Sequence, residues 1–198
     1  LIATSTSEPI LERALLLFWS LAQVSDVVKD QALQNGAVRA LVDLLYTDSL
    51  PILENTMISL GYMSREDRGR VSLSEGGGLE KMVSCLYHPN ASVVIKAAGV
   101  VWNAAVIDGN RTQLRSLGAV PALLQLLRNT KSELAQENIA GALWNLTIDA
   151  EAKKQVADYE GLQLLVALLN NPDSSENILE NVTGTLWNCS ATIDNRAA

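Results

Sequence analysis

The most reactive side chains of the chain are one histidine and two cysteines, and their spacing does not suit catalysis. His88 precedes Pro89 in a predicted turn, while Cys85 and Cys189 are 104 positions apart. A zinc site needs several ligands close together and a nucleophile needs an adjacent base, so neither is predicted. We interpret His88 as a surface residue and the cysteines as free thiols. Free thiols indicate a reducing, cytoplasmic compartment, with nuclear or membrane-peripheral locations reached through partners.

A glycine-rich segment and two acidic segments also fail to match known sites. Residues 75–78 lack the Lys-Ser/Thr pair of a phosphate-binding loop and follow a predicted helix instead of a strand. The acidic residues at 66–67 and 173–176 lack the spacing of a calcium loop. The sequence therefore predicts no enzyme activity, no metal and no cofactor.

Asparagine is the polar side chain whose spacing is informative. The dipeptide Trp-Asn recurs at 102–103, 144–145 and 187–188, with the tryptophans 42 and 43 residues apart. A period of this length is typical of a stacked helical solenoid. An amide offers two donors and an acceptor, so stacked amides can pair with the N–H and C=O groups of an extended peptide.

A second motif has the same period and divides each unit into helices. An apolar segment follows a glycine in every unit, and equivalent residues of these segments are separated by 41, 41 and 42 positions. We expect each unit to contain a short helix, a glycine break, an apolar helix, a polar turn and a long helix. The glycines are Gly36, Gly77, Gly118 and Gly161.

The three-helix unit, the Gly-Ala-Val phrase and the Ala-Leu-Trp-Asn-Leu-Thr helix end resemble armadillo repeats over essentially the whole chain. The resemblance implies an all-α fold, a right-handed armadillo α-solenoid of three-helix repeats. The first helix carries Leu15, Leu16, Leu17, Phe18 and Trp19 without a polar cap, so further armadillo repeats are expected on both sides. We place a partial repeat at 1–22, full repeats at about 23–63, 64–107, 108–148 and 149–191, and the start of another repeat at 192–198.

A helical projection divides each long helix into a polar stripe and an apolar side. At about 100° per residue, the positions four and seven before the asparagine of Trp-Asn share its stripe. The opposite side carries Val101, Ile139, Leu143 and Val182, which we expect to form the core. The candidate peptide-groove residues on the stripe are Asn103, Asn145, Asn188, Asn138, Asn181, Lys96, Tyr62 and Asn55.

In armadillo proteins the long helices line a concave groove, and an asparagine at this position binds the backbone of an extended peptide. The resemblance implies that role for Asn103, Asn145 and Asn188. The alternative is that these amides cap helices or bridge them inside the protein.

The flank of the stripe carries tryptophans and glutamates that are candidate groove-edge residues. Trp102, Trp144 and Trp187 either pack between adjacent long helices or stack on a ligand. Glu137 and Glu180 are either favourable charges near helix N-termini or an acidic groove edge.

One position departs from the nuclear-import adaptors of the armadillo family. Those adaptors carry tryptophan four residues before the asparagine, where it stacks on the lysine side chains of a ligand. The glycines found here instead resemble the repeats of catenins, vacuolar-membrane adaptors and ciliary armadillo proteins, so nuclear-import cargo is not the expected ligand. The residues at this position are Leu16, Ile58, Gly99, Gly141 and Gly184.

Charge and hydropathy limit the class of partner. The net charge is −7, and no segment reaches the roughly 18–20 uncharged apolar residues of a membrane helix. The sequence therefore argues against nucleic acid and membrane insertion, and it favours a neutral or basic protein partner over an acidic one. We expect a scaffold or adaptor that binds an extended or disordered segment along the groove. The alternative is an architectural solenoid that joins a membrane tether or a ciliary or cytoskeletal complex through its ends or convex face.

Overall fold

The computed structural model describes residues 7–191, which form thirteen α-helices and no β-strand. The sequence predictions for residues 1–6 and 192–198, including the start of a further repeat, lie outside the described residues. In chain order the helices are α1 (Glu8–Val24), α2 (Asp26–Gln34), α3 (Ala37–Leu44), α4 (Leu50–Met63), α5 (Asp67–Glu75), α6 (Gly78–Cys85), α7 (Ala91–Ala104), α8 (Asp108–Ser116), α9 (Ala119–Asn129), α10 (Glu133–Leu146), α11 (Ala150–Asp158), α12 (Gly161–Leu169) and α13 (Glu176–Ser190).

The helices repeat in the order short, middle and long. The short helices are α2, α5, α8 and α11, the middle helices are α3, α6, α9 and α12, and the long helices are α4, α7, α10 and α13. The first helix, α1, is also long and packs on α4, and the row continues through α7 and α10 to α13. The predicted all-α solenoid of three-helix repeats is therefore confirmed.

The core runs continuously along this stack of repeats. Val101, Ile139, Leu143 and Val182, on the side of the long helices predicted to face the core, are at most 1% exposed. Complete burial of a side chain of this size contributes about 1.5–3 kcal/mol relative to exposure. Because the apolar side of each long helix is used in this way, the polar stripe is left on the remaining surface of the helix.

A left-handed turn separates each short helix from the middle helix after it. Gly36, Gly77 and Gly118 have φ angles of 73°, 76° and 86°. In the fourth unit Glu160, with φ of 56°, occupies this position. The prediction that Gly161 supplies the break is wrong, because Gly161 is the first residue of α12.

Gly161 is required for close packing, which is a different physical reason. A Cβ added to Gly161 would lie 2.8 Å from Leu124 Cδ2 and 2.8 Å from the carbonyl oxygen of Val156. The equivalent residues of the other units include Ala119, which is also small. The fourth unit therefore has a small residue at the packing position but glutamate instead of glycine in the turn.

We predict that Glu160→Gly stabilises the chain. The left-handed conformation is roughly 1–2 kcal/mol less favourable for a residue that carries a Cβ than for glycine. The substitution also removes the ion pair between Glu160 Oε2 and Arg128 Nη1, which are 3.3 Å apart. Both side chains are well exposed, so this pair contributes only about 0–1 kcal/mol. We expect a net gain of about 1 kcal/mol in the free energy of unfolding, measured by urea denaturation.

The control is Glu160→Ala, which removes the same ion pair but leaves a Cβ in the left-handed conformation. We expect no gain from this variant. An equal gain from alanine and glycine would show that backbone conformation is not the cause.

Candidate functional site

Asn103, Asn145 and Asn188 lie near the ends of α7, α10 and α13, and each side chain is half-buried. These three residues are termed the amide row. Because α7, α10 and α13 pack in sequence, the row crosses three neighbouring long helices at one residue per repeat.

Each amide of the row donates a hydrogen bond to the long helix that precedes it. Asn145 Nδ2 donates to the carbonyl oxygen of Trp102, and Asn188 Nδ2 donates to that of Trp144, both at 3.1 Å. The internal bridge that the sequence left as an alternative is thus present in the structure. It ties each repeat to the one before it.

Two hydroxyl groups that were not predicted from the sequence take part in these bridges. Asn103 Nδ2 donates to Gly61 O at 3.1 Å and to Ser64 Oγ at 3.2 Å. Asn188 Nδ2 likewise donates to Thr147 Oγ1 at 3.3 Å. Both hydroxyls stand two residues after the asparagine position of the preceding unit, so the aligned repeats contain the signal.

A second set of amides lies two turns earlier on the same stripe. Asn138 Nδ2 donates to Ile95 O at 3.0 Å, and Asn181 Nδ2 donates to Glu137 O at 3.4 Å. Asn181 is only 4% exposed, which leaves it little surface to offer a ligand. Asn55, the equivalent residue of α4, is half-buried.

The amide row retains hydrogen-bonding capacity after these bridges are made. Within residues 7–191 no group donates to Oδ1 of Asn103, Asn145 or Asn188. The bond from Nδ2 also fixes which way the planar amide is turned, because its two ends differ chemically. Each of the three helices therefore presents an oriented acceptor.

Two tryptophans pack on glycines of the next long helix. A Cβ added to Gly141 would lie 2.3 Å from Trp102 Cε2, and one added to Gly184 would lie 2.4 Å from Trp144 Cε2. Each indole thus covers backbone at a place where no side chain fits. For Trp102 and Trp144 the structure therefore has the packing arrangement between adjacent long helices.

The remaining aromatic residues of the stripe and its flank have different surroundings. Trp187 on α13 is 78% exposed, so most of its ring is open to contact. Trp19 on α1 stacks on Tyr62 of α4 with ring centroids 6.1 Å apart. The guanidinium carbon of Arg65 lies 4.6 Å from the centroid of the Tyr62 ring, a cation–π distance.

Charged groups of both signs lie on the stripe and its flank. Lys96 is half-buried, and its Nζ is 3.9 Å from a carboxylate oxygen of Glu54. Glu137 Oε1 accepts a hydrogen bond from Asn177 Nδ2 at 3.1 Å, and Glu180 is exposed. Both Glu137 and Glu180 lie in the second turn of their helices, where the helix dipole acts only weakly.

The reactive side chains occupy structural positions. Cys85 and Cys189 are buried, and burial raises the pKa of both thiols, that of Cys189 to about 11, so both stay protonated at neutral pH. His88 Nδ1 accepts a hydrogen bond from the backbone N–H of Asn90 at 3.0 Å.

Within residues 7–191 no group of three or more His, Cys, Asp and Glu side chains could hold a metal ion. No helix in that part of the chain has the length and apolar character needed to cross a membrane.

Comparison with known proteins identifies the type of repeat. The family model for the Armadillo/beta-catenin-like repeat matches residues 108–148 and 149–191. The splicing regulator ARVCF of Homo sapiens is 32% identical over 118 residues, which are 58% of this chain and 12% of that protein. Outer dynein arm-docking complex subunit 2 of Bos taurus is 26% identical over 138 residues, which are 70% of this chain and 13% of that protein. The chain therefore corresponds to a small part of either relative.

A solved structure with the same architecture contains a bound peptide. It is a designed armadillo repeat protein in complex with the peptide (KR)4, and it aligns with a TM-score of 0.83 over 95% of this chain and 79% of that chain. The two sequences are 20% identical. At this identity the likeness shows a shared fold, and the peptide belongs to the designed protein alone.

We predict that Gly141→Ala destabilises the chain, because the new Cβ would overlap the Trp102 indole. Overpacking of this kind costs typically about 1–3 kcal/mol, which outweighs the gain of about 1 kcal/mol from replacing glycine by alanine in a helix. Gly61→Ala is the matched control, since a Cβ on Gly61 would meet nothing within 4 Å and the variant should be more stable. Urea denaturation measures both variants. A shift of the unfolding free energy in the same direction for both would contradict the packing role of Gly141.

Proposed function

We propose that the chain, whose residues 108–148 and 149–191 match the Armadillo/beta-catenin-like repeat, is an armadillo-type scaffold that binds an extended segment of another protein along its long helices. The bound segment crosses the helices and pairs its backbone with the amide row. Proteins of this repeat type bind peptides, as the designed protein that holds (KR)4 does.

The observation that carries the proposal is the set of oriented acceptors on Asn103, Asn145 and Asn188. Each Nδ2 is bonded to the preceding helix, so the direction of each Oδ1 is fixed before a ligand binds. Groups that are already ordered lose little conformational entropy on binding. An extended backbone has N–H groups that need acceptors, and a row with one acceptor per repeat can supply them.

The charge of the chain favours a neutral or basic segment over an acidic one. The net charge is −7, and the flank of the stripe carries Glu137 and Glu180. A disordered region of a partner supplies such a segment without unfolding a domain. We propose a cytoplasmic location, and the role needs no catalysis and no cofactor.

An architectural role is the second proposal, and the first two helices support it. Ile10, Leu17 and Val24 of α1 and Val27 of α2 are between 49% and 78% exposed. Exposed apolar surface of this kind favours contact with another protein element. One relative is by name a subunit of an outer dynein arm-docking complex, which is an assembly. In this role the ends or convex face of the solenoid join a ciliary, cytoskeletal or membrane-tethering complex, and the amide row stays without a ligand.

We predict that combining Asn145→Ala with Asn188→Ala weakens peptide binding. The probes are peptides selected from a random library against the wild-type chain, and fluorescence anisotropy measures their dissociation constants. Each lost hydrogen bond contributes about 0.5–1.5 kcal/mol, so the two together should weaken binding roughly 5- to 150-fold.

Asn110→Ala is the control, because Asn110 also bridges repeats but lies on the short helix α8, outside the amide row. It is buried on α8, and its Nδ2 donates to the carbonyl oxygens of Arg70 and Ala104, both at 3.1 Å. This variant should lose stability and keep peptide binding, with folding checked by circular dichroism. If the folded Asn145→Ala, Asn188→Ala variant binds the selected peptides as the wild type does, the groove proposal is wrong and the architectural role is favoured.

A further inference from the structure

The interface between α4 and α7 lacks the tryptophan that fills the next two interfaces. On α4 the position before the asparagine equivalent is Gly61, and Gly61 and Gly99 of α7 line one open space. A Cβ added to Gly61 would meet nothing within 4 Å. The atoms nearest to a Cβ added to Gly99 belong to the Asn138 amide of α10, with Nδ2 at 3.3 Å, so no tryptophan covers Gly99 as Trp102 covers Gly141.

The open space is a notch of about 250 Å³, termed the Gly61–Gly99 notch. Met57, Ile58 and Val100 contribute apolar walls, and Tyr62 contributes an aromatic ring. Asn103 of the amide row also lines the notch, together with Trp102 and the amide of Asn138. The notch therefore opens onto the path proposed for the bound segment.

Two cationic side chains border the notch. Arg65 and Lys96 line it; Arg65 already lies at cation–π distance from Tyr62, and Lys96 Nζ is 3.9 Å from a carboxylate oxygen of Glu54. A guanidinium or ammonium group attracts the face of an aromatic ring and repels another cation. The charge at the notch therefore favours an aromatic side chain and disfavours lysine or arginine.

Given the groove function proposed above, on which this step rests, we propose that the Gly61–Gly99 notch is a specificity pocket for an aromatic side chain of the bound segment, with tryptophan the best fit. The partner's ring takes the place that the chain's own tryptophans take at the next two interfaces. Aromatic groups pack favourably on an indole, and Tyr62 supplies one. The amide row pairs with the peptide backbone and therefore does not discriminate between sequences. The pocket adds sequence specificity by accepting one type of side chain.

The test uses N-acetyl-tryptophanamide as the probe and N-acetyl-lysinamide as the comparison, with two-dimensional ¹H–¹⁵N NMR of the wild-type chain. We expect the tryptophan amide to shift the backbone resonances of Gly61 and Gly99 in a saturable way and the lysine amide to leave them unchanged. Gly61→Trp places an indole of the chain in the notch and should abolish the shift at Gly99. Gly61→Ala adds one methyl group and should retain most of it.

Circular dichroism and the NMR spectrum establish that Gly61→Trp is folded, and Gly61→Leu replaces it if it is not. Equal shifts from the tryptophan and lysine amides would overturn the proposal. An undiminished shift in the folded Gly61→Trp variant would also overturn it.

The peptides selected from the random library separate this proposal from the groove function. We expect peptides that depend on the amide row to be enriched in aromatic residues and to bind Gly61→Trp at least tenfold more weakly than the wild type. Binding that needs Asn145 and Asn188 but is equal for wild type and Gly61→Trp would overturn the pocket and leave the groove function standing. Peptide binding that does not depend on the amide row, together with an intact tryptophan-amide shift, would overturn the groove function while the aromatic pocket remains.

Discussion

The packing of a tryptophan ring on the glycine backbone of the next long helix sets how successive repeats meet. At this contact α7 and α10, and likewise α10 and α13, approach so closely that no Cβ fits on Gly141 or Gly184. Glycine costs about 1 kcal/mol relative to alanine inside a helix, and the burial of indole surface offsets that cost. The glycine of one repeat therefore leaves room for the indole of the repeat before it, and the two residues form a packed pair across the interface.

The amide row depends on the same contact. Asn145 and Asn188 donate to the carbonyl oxygens of Trp102 and Trp144, the residues whose rings cover the glycines. One tryptophan thus contacts the next long helix through both its ring and its carbonyl group. The contact that joins the repeats also fixes the spacing of the row, so architecture and the proposed recognition of a peptide backbone use the same residues.

The interface at Gly61 shows the effect of losing the tryptophan ring. There α4 and α7 are still joined by the bonds from Asn103 to Gly61 and Ser64, while no indole covers Gly99 and a notch is left beside it. In a solenoid each repeat contacts mainly its neighbours, so one interface can differ without disturbing the others. The row of long helices is therefore not uniform along its length, and under the proposed function this difference would hold a bound segment in one register.

The sequence determined those features that depend on neighbouring residues. The repeat period, the apolar side of each long helix and the glycine breaks between helices predicted the three-helix units, the core positions of the long helices and the all-α solenoid. The error at Gly161 arose because a glycine needed for close packing and a glycine needed for positive φ look the same in sequence. Only the tertiary structure decided that the amide of Asn145 bonds to Trp102, 43 positions away, that Gly141 seats an indole, and that Gly61 leaves a notch. These features depend on the distance between long helices, and that distance is set by the packing of segments far apart in the chain.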